Sequence, residues 1–146
     1  MNQFVTRVAP VLAGVVGLLA CGGDSTSPQS PLAGSYSANM WTTTGVHGQT
    51  NQLVIGSTLQ INLAADGTTT GHMHVAASGG NPASDVDMAG TFTQTGNTVD
   101  FVQAADSFIN DMIFEIQPIA TNVWDLVGDD TFNGTRVQLT LRHGTY

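Results

Sequence analysis

His72-Met73-His74 is the stretch of this chain whose residue types and spacing most invite chemistry. An i, i+2 pair on a strand projects both imidazoles from one face, and neutral imidazole nitrogen suits zinc or copper. His47 and His143 are the remaining histidines that could complete such a site. Parity groups His72 and His74 with Thr68 and Thr70, opposite Met73 and Val75. That is the polar face, so two solvated imidazoles and no metal are expected. Asp85-Val86-Asp87, and Asp129-Asp130 with Asn133, offer oxygen ligands, but neither has the spacing or the bidentate glutamate of a calcium loop. Glu115, the one glutamate, falls at an outward strand position, where a general acid of raised pKa has no cleft to occupy. No serine stands in a Gly-x-Ser-x-Gly elbow, and neither a P-loop nor GxGxxG is present. The expectation is a protein that is not an enzyme and carries no cofactor.

These side chains are positioned by strands. From Leu32 onward, Thr, Val, Ile and aromatic residues alternate with polar ones, and turn signals recur every 8–12 residues. Strands are predicted over 34–43, 57–64, 68–75, 85–94, 98–103 and 111–117, with two more marked by Trp124 and Leu126 and by Val137, Leu139 and Leu141. Asp66-Gly67 and Gly96-Asn97 supply tight turns, Gly79-Gly80-Asn81-Pro82 a break, and residues 129–134 a polar loop. Short links favour pairing between neighbours in sequence, so the expected fold is all-β, an antiparallel up-and-down barrel of about eight strands. A β-sandwich is the alternative. Inward parity falls on Leu59, Ile61 and Leu63, on Val86, Met88 and Phe92, on Val99 and Phe101, and on Met112, Phe114 and Ile116. Tyr36, Trp41, Phe92, Phe101, Phe108, Phe114 and Trp124 are the candidate ligand contacts, with Trp41, Phe108 and Phe132 expected at the rim.

Charge narrows the partners. The chain has no lysine, and three Arg face 11 acidic residues, for a net charge of −8. Such a surface repels phosphate backbones and anionic headgroups, which excludes nucleic acid and argues against membrane binding through a basic patch. Hydrophobic content of 41% is enough for one buried core.

The N-terminus reads as an address. Arg7 precedes an apolar run of 13 residues, Val8 to Ala20, too short to span a bilayer and of signal-peptide length. It ends in Leu18-Leu19-Ala20-Cys21, which resembles the lipobox of bacterial lipoproteins. The resemblance implies removal of residues 1–20, a diacylglycerol thioether on Cys21 and an acyl group on its new amine. Several acyl chains hold a protein on a membrane far better than one. It also implies a cell-envelope location; without an aspartate directly after the cysteine, the outer membrane is favoured over the inner. Residues 21–31, rich in Gly, Ser and Pro, then form a tether with a reach of about 18 Å. Residues 32–146 form the barrel domain.

Leu32-Ala33-Gly34-Ser35-Tyr36 resembles the opening of lipocalin-like barrels, with Tyr36 in place of the usual tryptophan. That family packs a late-strand arginine across the tryptophan, which implies such a role for Arg142. The stretch from Gly56 through Asp66-Gly67 to Gly71 is similar to a hairpin of avidin-like barrels, without their biotin-contacting tryptophans. Both resemblances imply a calycin-type barrel that binds a small apolar or amphipathic ligand. The alternative is a filled scaffold docking a protein partner in the envelope. A metal-dependent enzyme built on His72 and His74 ranks last.

Overall fold

The computed structural model describes residues 31–144. Cys21, the apolar run before it and the tether up to residue 30 lie outside the described residues. Ten strands follow one another: β1 (Gly34–Gly45), β2 (Gly48–Asn51), β3 (Thr58–Leu63), β4 (Thr68–Val75), β5 (Ser84–Asp87), β6 (Gly90–Thr95), β7 (Thr98–Gln103), β8 (Ile113–Ala120), β9 (Val123–Phe132) and β10 (Thr135–His143). A single 3₁₀ turn, Phe108–Asp111, separates β7 from β8. The order β1-β3-β4-β6-β7-β8-β9-β10 returns to β1, closing an eight-stranded antiparallel barrel. Closure removes the long free edges that a sandwich would leave. β2 folds back on the far half of β1, and β5 lies along β4.

Two boundaries differ from the sequence reading. The strand expected over 85–94 is interrupted at Met88-Ala89. β5 pairs with residues 72–75 of β4, whereas β6 meets β4 only through Thr68↔Thr91 and Thr69↔Gly90. Val86, Met88 and Phe92 all turn toward the interior across this break, so alternation alone carries no sign of it. The expected polar loop at 129–134 is mostly strand. Its turn is Asn133-Gly134, both with positive φ (50° and 81°), the conformation that matches the twist of a two-residue hairpin.

Interior packing is set by parity and one bulge. The β1–β10 register shifts between Ala38 and Met40. Tyr36 and Trp41, five residues apart, therefore both face inward, each with 1% of its surface exposed. Phe101 and Phe114 meet edge to face at 5.3 Å, the arrangement aromatic quadrupoles favour. Met73, Met88 and Met112 fill the gaps between these rings and the aliphatic residues. At the end where residue 31 enters, the buried Tyr36 hydroxyl donates to the Leu32 carbonyl at 2.9 Å. Burial pushes its pKa above the ordinary tyrosine value, which keeps the proton for that bond.

The role implied for Arg142 is not the one it takes. Register pairs Tyr36 with His143 and Ser37 with Arg142. His143 therefore packs against Tyr36, with ring centroids 5.0 Å apart, and Arg142 lies on the outer face. There its Nε and Nη2 donate to the two oxygens of Asp125, at 3.1 and 2.8 Å. Asp125 is buried, so the bidentate contact supplies the partner that a sequestered carboxylate needs. Arg136 grips Asp129 in the same way, with Gln138 Nε2 donating at 3.0 Å.

Those donors hold the Asp129 carboxyl below the ordinary aspartate value of 3.8. A carboxyl whose pKa is lowered by folding contributes stability that is complete above the unfolded value and is lost as pH falls through the folded one. The Asp129→Asn variant should therefore be less stable than the parent at neutral pH. The two acid-unfolding curves should converge below pH 3.8. Because this pair is exposed, the gap will be small.

Candidate functional site at the barrel mouth

The end of the barrel opposite residue 31 is covered by two short segments. One is the turn 52–57. Gln52 N–H donates to the Trp41 carbonyl at 2.8 Å, and its Nε2 donates to Thr43 Oγ1 at 2.8 Å. Ser57 Oγ donates to Gln52 Oε1 at 3.1 Å and accepts from Ala76 N–H at 2.9 Å. Gln52 and Ser57 are buried, and this network fastens the turn across the top of β1 and β4.

The second cover is the 3₁₀ turn. Asn110 Oδ1 accepts from Gln103 N–H at 2.7 Å, and Nδ2 donates to the Ala105 carbonyl at 3.1 Å. The side chain thereby substitutes for the ladder where β7 ends. The buried Ile109 closes the interior, and Phe108 stands half-buried beside it. Phe108 lies 5.7 Å from Trp41 on one side and 6.2 Å from Phe132 on the other, tilted to both.

An open cleft of about 530 Å³ adjoins this aromatic row, lined by Asp106, Ser107, Phe108, Asp111, Thr131, Phe132 and Asn133. That volume suits a small ligand. Two aromatic side chains, two carboxylates and no basic side chain in its lining would favour an apolar body bearing a cationic head. Trp41 Nε1 and Ser107 Oγ are buried without a hydrogen-bond partner among the described residues.

A second cleft, of about 310 Å³, lies on the outer wall over β1, β3 and β4. Ser35, Ser37, Gln60 and Asn62 line it, and Ser35 Oγ donates to Asn62 Oδ1 at 3.0 Å. It carries no charged group.

The seven candidate contacts divide by depth. Tyr36 sits at the far end of the barrel, and Phe92, Phe101 and Phe114 belong to the packed core. Trp124 is half-buried against that core. Trp41 and Phe108 come together at the mouth, joined by Phe132, the three residues expected at the rim, although Trp41 is fully covered. Asp106, Ser107, Asp111 and Asn133 were not singled out for the mouth. For Asp106 and Ser107 the signal was the polar pair that ends the apolar run of β7; nothing local marked Asp111 or Asn133 as their neighbours. His72 and His74 project outward, as their parity required, and both meet Asp85. No protein-family model matches the chain, and no curated protein matches it in sequence.

Proposed function

We propose that this protein is a lipid-anchored component of the bacterial cell envelope that binds a small amphipathic molecule at the barrel mouth. The lipobox-like Leu18-Leu19-Ala20-Cys21 supports the anchor and the location. The packed interior supports a ligand at the rim over one at the barrel's centre. The observation that carries this reading is the Trp41-Phe108-Phe132 row beside the 530 Å³ cleft, flanked by Asp106 and Asp111. Apolar contact with Phe108 and Phe132, which line the cleft, supplies affinity at about 25 cal/mol per Å² before ordering costs, and the carboxylates select a positive head group.

Dodecyltrimethylammonium and dodecyl sulfate, each below its micelle concentration, provide the test. Saturable quenching of tryptophan fluorescence by the cationic probe is expected, with at least tenfold weaker binding of the anionic one. Asp106→Asn with Asp111→Asn should erase the preference, and Phe108→Ala should weaken both probes. Equal affinity for the two head groups, or no saturable response, overturns the reading.

The alternative of a filled scaffold docking an envelope protein draws on the same packed interior. It is favoured by Val46 at the tip of the β1–β2 turn and Val54 in the next turn, both largely exposed. It predicts no response to either probe.

A further inference from the structure

We infer that His72, His74 and Asp85 form a second, independent site on the outer wall, one that binds a borderline divalent ion such as zinc(II) or copper(II). The antiparallel register of β4 and β5 pairs His72 with Asp87 and His74 with Asp85. Residues paired in this way share a face, so two imidazoles and two carboxylates form a square on the outside of the barrel.

The square is already drawn together. Asp85 Oδ1 lies 3.0 Å from His72 Nε2 and 2.8 Å from His74 Nδ1. His72 Nδ1 lies 3.6 Å from Asp87 Oδ1. Three donors around a tetrahedral ion, with bonds of about 2.0–2.1 Å, stand roughly 3.3 Å from one another. No three His, Cys, Asp or Glu side chains among the described residues enclose an ion-sized point as they stand. Both imidazoles close instead on one carboxylate oxygen. Opening that contact by a few tenths of an ångström needs only small side-chain rotations, and His72 and Asp85 are more than half exposed and unconfined.

The roles within the square are unequal. His72 Nε2, His74 Nδ1 and Asp85 Oδ1 supply three ligands, and solvent supplies the fourth. Asp87 Oδ1 stands 3.6 Å from the other nitrogen of His72, beyond hydrogen-bond distance; with the ion bound at Nε2, a small rotation would let it accept the Nδ1–H, as carboxylates behind metal-bound histidines commonly do. From β3, Gln60 and Thr58 stand opposite His72 and His74 and are neutral. Arg136 and Arg142 are held by Asp129 and Asp125 on β9 and β10, so neither neutralises the square. The mixed nitrogen and oxygen set favours zinc or copper over magnesium or calcium, which prefer oxygen alone.

Zinc chloride added to the untagged protein, followed by the imidazole NMR signals, tests the site. The His72 and His74 resonances should shift together and saturate at one ion per chain, with those of His47 and His143 unchanged. His72→Gln with His74→Gln should abolish binding while leaving the backbone amide spectrum folded. Asp87→Asn should weaken binding about tenfold. His47→Gln should have no effect. Amide exchange at residues 84–87 should slow with zinc, because the ion ties β5 to β4. Binding that survives the double variant, or that magnesium in millimolar excess removes, would reduce the effect to general attraction by an acidic surface and overturn the site. So would an absence of any histidine shift.

Discussion

Gly90→Ala is expected to lower the stability of the domain by about 3 kcal/mol, a large share of what holds a small domain folded. Gly90 lies where the barrel is stitched most thinly, since β6 reaches β4 through only two register pairs. A Cβ built there would stand 2.1 Å from the Val102 carbonyl oxygen and 2.7 Å from Gln103 Cα. Both are backbone atoms and cannot rotate aside, so β7 must move or β6 must leave the seam. Either movement also disturbs Thr69 Oγ1, which donates across the interior to Gln103 Oε1 at 3.1 Å. Urea unfolding measures the loss, and amide exchange should accelerate first in β4 and β6. Gly45→Ala is the matched control. Its Cβ would meet nothing nearer than Thr135 Oγ1 at 3.5 Å, so a change within about 0.5 kcal/mol is expected. Equal effects of the two substitutions would show that the seam is not closely packed.

Trp41→Ala should be at least as damaging, at about 3–5 kcal/mol, because the largest buried side chain would leave a cavity walled by a closed sheet. Trp41→Phe should cost only about 1 kcal/mol. The indole Nε1 makes no hydrogen bond among the described residues, so removing it breaks none. This pair of variants separates packing from recognition at the mouth. Trp41 is fully covered and does not line the cleft, so it acts on recognition only by backing Phe108, and the phenylalanine variant should keep both its stability and its probe affinity. A phenylalanine variant as unstable as the alanine one would mean that Nε1 has a partner in solution.

Much of the fold was legible because burial in a barrel wall has period two. Leu59, Ile61 and Leu63 alternate against Thr58, Gln60 and Asn62, and the structure turns the first set inward. Met112, Phe114 and Ile116 obey the same rule around the exposed Ile113 and Glu115. The outward parity of His72 and His74 followed from it too. Parity was silent about the break at Met88-Ala89, because the inward positions continue in step while the hydrogen-bonded neighbour changes. It was misleading around Asn39, where the bulge advances the phase by one residue and brings both Tyr36 and Trp41 inside. The lipocalin resemblance located the correct strand for the residue against Tyr36 but the wrong side chain. Cross-strand register, which selects His143 over Arg142, depends on how the barrel closes.

The amino-acid sequence by itself determined the all-β class, the number of wall strands, the inward and outward faces and the acidic, lysine-free surface. These are local properties, written in alternation, turn residues and composition. Tertiary structure alone decided which side chains from distant strands meet. The mouth joins Trp41 of β1, Phe108 of the 3₁₀ turn and Phe132 of β9, and the outer square joins His72 and His74 of β4 to Asp85 of β5. Such meetings are set by closure and by the register of paired strands. A shift of one residue in either would carry every one of these groups to the opposite face.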